Sequence, residues 1–421
     1  MKNLHRRTAV AALSLFSALL TVASASLPGD VVGKVTVGYQ GWFSAAGDGS
    51  PENRWGHNNL ENWPDTREYS KTYDKVPFNQ NGAGEPPFEG KLGNGKPATM
   101  FSSYDQQVVN THFKWMAQNG IDTAALQRFS NEIEPGSSIK AQRDGVSIRV
   151  MNAAQAAGRK FYIMYDLSGG GMERVKTDWT ETIVKTLRLT ASPSYARQNG
   201  RVVVCLWGLG YTFFKPSPEE ALAILDWFKK QGCYVIGGVP GQWRTGTGDS
   251  RPDFAKVYES LDMLMPWAVG RLMDEGYAKW VKADLAYCKA HGVDFQADIY
   301  PGFSFHNSKE RSPMNQIPRN HGDFMWAQFA VARQAGVQSV YISMFDEMNE
   351  GTAIFKCAED ASMVPAGKEF LTLDADGVKV SSDFYLRLVN NGGRMIKGQI
   401  PYQARHTTPF GASNFGSPFK K

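Results

Sequence analysis

Cysteine is scarce in this chain. Its 421 residues hold four, at Cys205, Cys233, Cys288 and Cys357. None stand as C-x-x-C, which argues against zinc-ribbon and thioredoxin-type chemistry. Cys205 lies inside the apolar run Val202 to Trp207, so buried free thiols are expected. No charge of one sign dominates either: 46 Lys and Arg face 41 Asp and Glu. Without a basic cluster, nucleic acid is not expected as the main partner. Beyond the N-terminal leader, no apolar run is long enough to span a bilayer. The phosphate-binding G-x-G-x-x-G is missing after the first apolar run, where Gly38-Tyr39-Gln40-Gly41-Trp42-Phe43 stands instead. His57, His306 and His321 are not at metal-ligand spacing, and neither a metal nor another cofactor is expected. There is no internal repeat.

What is present is a globular composition. At 42% hydrophobic and 21% charged, the chain is neither disordered nor a coiled coil. Its length supports a core that needs no metal or disulfide. Residues 1–25 read as an export signal: a positive start from Met1 to Arg7, an apolar stretch from Thr8 to Val22, and Ala23-Ser24-Ala25 as the cleavage site. The mature protein is therefore expected in a periplasm or outside the cell. Residues 26–400 are expected to form one domain, followed by a poorly ordered tail, 401–421.

Within that domain eight apolar runs recur: Val35–Phe43, Thr123–Phe129, Lys160–Leu167, Arg201–Leu209, Tyr234–Val239, Leu261–Val269, Val293–Tyr300 and Ser339–Phe345. They are continuous rather than alternating, as strands buried on both faces should be. Segments of helical period lie between them: Gln106–Gln118, Ser138–Ala157, Asp178–Leu189, Pro218–Lys230, Gly276–His291, Asp323–Ala335 and Asp383–Ile396. Several end at a glycine, a helix stop signal. The alternation predicts a (β/α)8 TIM barrel with a long loop after strand 1, from Ser44 to Thr99.

A barrel keeps its chemistry at the C-terminal ends of its strands. Those ends hold Tyr39, Trp42, Arg128, Asp166, Trp207, Trp243, Trp267, Asp298, Tyr300 and Asp346, the candidate substrate-binding set. Aromatic rings beside carboxylates and amides suit a sugar, whose C–H faces stack on rings and whose hydroxyls need polar partners. Arg128 and Asp166 could equally form an ion pair beneath the site. The densest signal is Asp346-Glu347-Met348-Asn349-Glu350-Gly351-Thr352. A solvated turn would use the same residue types. At the mouth of a barrel, however, repulsion and desolvation can keep one carboxyl protonated beside an ionised one, which is what acid–base catalysis needs. Gly169-Gly170-Gly171-Met172-Glu173-Arg174 and Asp374-Ala375-Asp376-Gly377 are read as a flexible loop and a turn.

The Asp346–Thr352 segment resembles the N-E-W-x-E-G-T pattern of glycoside hydrolase family 99, in the 99/71-like group of endo-α-mannosidases, endo-α-mannanases and α-1,3-glucanases. Some bacterial members of that group are labelled xylosidase/arabinosidase. Both acidic positions and Gly-Thr are kept, Met348 stands where the pattern has Trp, and Asp346 replaces Asn. The aromatic first strand and Tyr300-Pro301-Gly302 also fit. The resemblance implies that Glu350 is the general acid/base and Glu347 the base acting on the substrate's own 2-hydroxyl. It implies an exported hydrolase of α-linked oligo- or polysaccharides, retaining through a 1,2-anhydro sugar. Two alternatives stay open. One is a non-catalytic glycan-binding barrel. The other is an inverting glycosidase on xylan- or arabinan-type glycans, with Asp346 or Asp298 activating water.

Overall fold

A computed structural model describes residues 26–57, 59–74, 90–273, 275–307 and 312–411. The expected export signal lies outside the described residues. The barrel is built from β1 (Val35–Tyr39), β2 (Thr123–Phe129), β3 (Lys160–Asp166), β4 (Arg201–Trp207), β5 (Cys233–Val239), β6 (Met263–Pro266), β7 (Asp294–Ile299) and β8 (Ser339–Ile342). Each pairs in parallel with the next, and β1 pairs with β8 through Val35↔Val340 to Val37↔Ile342. The sheet therefore closes as a (β/α)8 barrel. A two-residue strand, Arg197–Gln198, leads antiparallel into β4.

The helices are α1 (Gln106–Gln118), α2 (Ser138–Ala157), α3 (Met172–Thr177), α4 (Pro218–Lys230), α5 (Ala255–Glu259), α6 (Glu275–His291), α7 (Asp323–Ala335) and α8 (Phe384–Ile396). Local chemistry sets their ends. Ser217 caps α4 in a reciprocal box with Glu220 behind Pro218, and Gly158 closes α2 at φ +62; both are strong local signals. The third helix differs from expectation. It starts at Met172, inside the stretch read as a loop, and continues as a π-helix, Asp178–Thr186. The change of pitch falls at Asp178, whose carboxylate turns inward onto Arg128 and the Tyr165 hydroxyl. The short α5 carries too little periodicity to be read from sequence.

Side chains of one parity fill the barrel and those of the other face the helices. In β1, Thr36 accepts a hydrogen bond across the barrel from Gln296. Gly38 lies against the Tyr341 hydroxyl and the Met344 sulfur, where a Cβ would collide with both. Tyr39, of the other parity, reaches His112 of α1 at 2.9 Å. Burial holds that histidine down at about 3, hence neutral.

Residues 401–411 are docked rather than loose. Trp326 Nε1 donates to the Gln403 carbonyl, and Arg387 donates to the carbonyls of Pro409 and Gly411. All four cysteines are buried and unpaired. Among the described residues, no helix is long and apolar enough to cross a membrane.

Arg128 is the clearest stability test. It points into the layer between barrel and helices and binds Asp178 through two nitrogens at 2.6 and 2.7 Å, and Asp144 at 2.6 Å. Arg128 and Asp178 are each 1% exposed as side chains. Removing one partner strands a buried charge, so Arg128→Ala should cost about 3–5 kcal/mol in urea unfolding. A loss below about 1 kcal/mol would contradict the pairing.

Candidate active site

The acidic segment follows β8 as a loop that folds back on itself. Met344 N donates to Thr352 O, Ile354 N to Met344 O, and Phe345 N to Gly38 O on β1. Gly351 adopts φ +64 with Ser304 packed against it, a position suited to glycine. Arg319, buried beneath, donates to the carbonyls of Gly351 and Ala353. The long loop after β1 braces the other side: Glu61 N and Asn62 N donate to Met348 O, and Asn349 Nδ2 to Asn59 O. Met348 is fully buried, so an apolar side chain suffices at this position.

Three carboxyls result, each in a different setting. Asp346 is fully buried and accepts from Gln40 N at 2.7 Å and Gly41 N at 3.0 Å. Burial still pushes it up to about 7. Glu347 is 3% exposed. One of its oxygens accepts from Asn349 N and the other from Gln40 Nε2, both at 2.8 Å. Burial, then the charge of Glu350, raise it well above the carboxylate range. Glu350 is half-buried, and its main chain is held by Ser304 N at 3.0 Å. Burial brings its carboxyl to about 7. No Lys or Arg among the described residues pairs with either glutamate. The pair therefore holds a proton near neutral pH. The two N–H donors on Glu347 favour its ionised form, against burial and the charge of Glu350.

Aromatic residues wall the opposite side. Trp207, at the end of β4, lies 5.5 Å from Trp267 and 6.2 Å from Phe213, ring to ring, and Tyr211 stacks on Phe213 at 4.7 Å. Trp267 also meets Tyr341, 6.2 Å away inside the barrel. Trp42 stacks on His57 at 3.8 Å and on Phe129 at 5.5 Å. Burial brings His57 down to about 3, so it is a neutral ring. Asp166 ends β3 with the inward parity and accepts from Ser168 N. Four buried polar atoms around this mouth lack a partner: Gln40 Oε1, Trp42 Nε1, Trp207 Nε1 and Asn349 Oδ1. Such atoms are costly unless a ligand satisfies them.

Several expected contacts lie elsewhere. Tyr39 and Arg128 have the outward parity, and Arg128 pairs with Asp178 and Asp144 rather than Asp166. Trp243 packs on Tyr258 and Tyr287 and donates to Asp284. Tyr300 is fully buried, its hydroxyl on the Arg271 carbonyl. Asp298 is 2% exposed and accepts from Ser343 Oγ at 2.6 Å and Ala268 N at 2.7 Å. Tyr39 and Arg128 thus face the helices, whereas Asp298, two residues on from Gln296, has the inward parity and lines a small cavity with Trp267. Both oxygens of Asp346 likewise accept from the backbone just after β1. A separate cleft of about 250 Å³ beside α6, lined by Gln242, Arg244, Trp280 and Asp284 among others, contains none of the three acids. Gln40 and Asn349 stand at the strand ends read from the sequence but outside the expected substrate-binding set, and Tyr341 carried no signal beyond its place in an apolar run.

Neither a protein-family model nor a curated protein sequence matches the chain. Solved structures do match it. A GH99 endo-α-mannosidase from Bacteroides thetaiotaomicron, in complex with bis-tris-propane, superposes with a TM-score of 0.64 at 13% identity, covering 88% of this chain and 98% of that one. A second structure of the GH99 endo-α-mannosidase from that organism gives 0.63 at 15%, covering 87% and 98%. A glycoside hydrolase-like protein gives 0.52 at 14%, covering 89% and 97%. This chain shares their fold. The likeness covers most of each chain.

The buried acids make a pH prediction. Asp298 and Asp346 both move from 3.8 up to about 7, so between those values the folded protein binds more protons than the unfolded chain. Their contribution is fully present below the unfolded value and is lost as pH rises through about 7. Stability should therefore rise as pH falls from about 8 to about 5, by on the order of 1 kcal/mol per group per pH unit. Thermal unfolding across that range checks it, with Asp298→Asn flattening part of the slope. A midpoint independent of pH would refute it.

Proposed function

We propose that the protein is a glycoside hydrolase acting on α-linked glycans, with α-mannans the first substrates to test. The observation that carries this reading is the Glu347–Glu350 pair. Its carboxyls are poised to share a proton, opposite tryptophans suited to sugar faces. Near neutral pH, Glu350 is the proton donor and Glu347 the ionised base. No side-chain carboxylate then need attack carbon. Glu347 removes the proton from the sugar 2-hydroxyl, O2 attacks C1, and Glu350 gives its proton to the departing glycosidic oxygen. The product is a 1,2-anhydro sugar. Glu350, now ionised, takes a proton from water as the water oxygen opens the epoxide at C1, and O2 recovers a proton from Glu347. Inversion occurs twice, so the anomeric configuration is retained. Similarity to the GH99 endo-α-mannosidases supports this reading. Export follows from the leader at residues 1–25, and an oligo- or polysaccharide outside the cytoplasm is the corresponding substrate.

The test is a hydrolysis screen over α-mannans, α-1,3-glucans, β-xylans and arabinans, with product anomers followed by NMR. Wild type should cleave an α-glycan with initial retention. Glu350→Gln should lose at least about 100-fold in kcat/KM, the scale of one general acid. Initial inversion would overturn the participation mechanism. Binding without turnover would favour a glycan-binding barrel instead.

A further inference from the structure

Glu347 is held from two sides, and only one of them is its own loop. Asn349 N, two residues on, would hold the carboxylate wherever the loop moved. Gln40 Nε2, at 2.8 Å, comes from the end of β1, across the seam where β1 meets β8. Gln40 is itself fixed. Its backbone N–H and that of Gly41 donate to the two oxygens of Asp346. Gly41 sits at φ +59, where a Cβ would press on Val146 and the Tyr39 ring, so the turn has little freedom. Two neighbouring acids thus meet one dipeptide: Asp346 takes its backbone, Glu347 its side chain.

We infer that Gln40 is a positioning residue that holds the Glu347 carboxylate against Glu350 as an acceptor, and that Asp346 serves to fix Gln40. This rests on the hydrolase reading above. The charged and titratable groups around Glu347 leave the role to an amide. Asp346 and Glu350 on its own loop are acids. Tyr341 inside β8 and Tyr39 on β1 are buried phenols held neutral. Glu61 of the long loop is occupied by Ser304 and Asn307. The nearby cation, Arg319, directs Nη2 to the carbonyls of Gly351 and Ala353 and to Asn62, and its Nε and Nη1 reach no acceptor among the described residues, Glu347 included. The Gln40 amide is then the donor that reaches Glu347 from outside its loop, and a donor on a carboxylate stabilises the ionised form.

The experiment replaces the donor while keeping its bulk. In Gln40→Met, the Glu347 carboxyl should titrate about one unit higher than in wild type. This is read by NMR of ¹³C-glutamate-labelled protein, with Glu347→Gln to assign the signal. The acid limb of the kcat/KM profile should move up with it. Activity should fall 10- to 100-fold in kcat with KM little changed, the scale of one hydrogen bond to a charged group. Gln40→Glu, which keeps the shape but puts an acceptor where a donor stood, should shift the titration further in the same direction and serves if the methionine variant does not fold. An unchanged titration in a folded variant would overturn the inference. So would a rise in KM with kcat kept, because that marks an ordinary substrate contact. Wild-type inactivity on every glycan would sink the hydrolase reading, while the NMR titration would still decide whether Gln40 governs Glu347.

Discussion

Closing eight parallel strands into a barrel leaves each residue one of two directions, and the rest of the molecule follows from that choice. Side chains of one parity meet in the interior and, at the strand ends, around a common mouth. Those of the other parity meet the helices. The β1–β8 seam is where the consequence is largest. Gln40 has the inward parity, and the loop leaving β8 brings Asp346 and Glu347 onto it. A shift of one residue in β1 would put Tyr39 at the mouth and Gln40 against α1, leaving Glu347 only the donor from Asn349 in its own loop.

Burial and repulsion both work against charge in this cluster. Asp346, Glu347 and Glu350 are all raised, and no cation offsets them among the described residues. Hydrogen bonds then differentiate groups that composition leaves alike. Asp346 spends both oxygens on the β1 backbone and becomes part of the scaffold. Glu347 receives two N–H donors and is suited to ionise. Glu350, with its carboxyl unoccupied by neighbours, is suited to hold and release a proton. The long loop after β1 supports this arrangement from outside by holding Met348 and Asn349.

Much of the fold was legible because its signals are local. The bounds of α1, α2, α4 and α7, and of β2, could be read to the residue, since period, caps and glycine stops all act within a few positions. The third helix was misplaced because a buried contact with Arg128, not local propensity, organises Asp178. The order of residues 401–411 was not legible because it comes from the carbonyls that Trp326 and Arg387 hold. Direction was less legible: Tyr39 and Arg128 stand near strand ends but have the outward parity, and Trp243 and Tyr300 are held by Asp284 and the Arg271 carbonyl.

The alternation of strands and helices and the acid cluster after β8 are written in the chain, because both are patterns of neighbours along it. Only the tertiary structure decided which acids are scaffold and which are chemistry. That depends on where each carboxyl finds its N–H donors, and the donors from Gln40 and Gly41 lie some three hundred positions away, brought within 3 Å only by closure of the barrel.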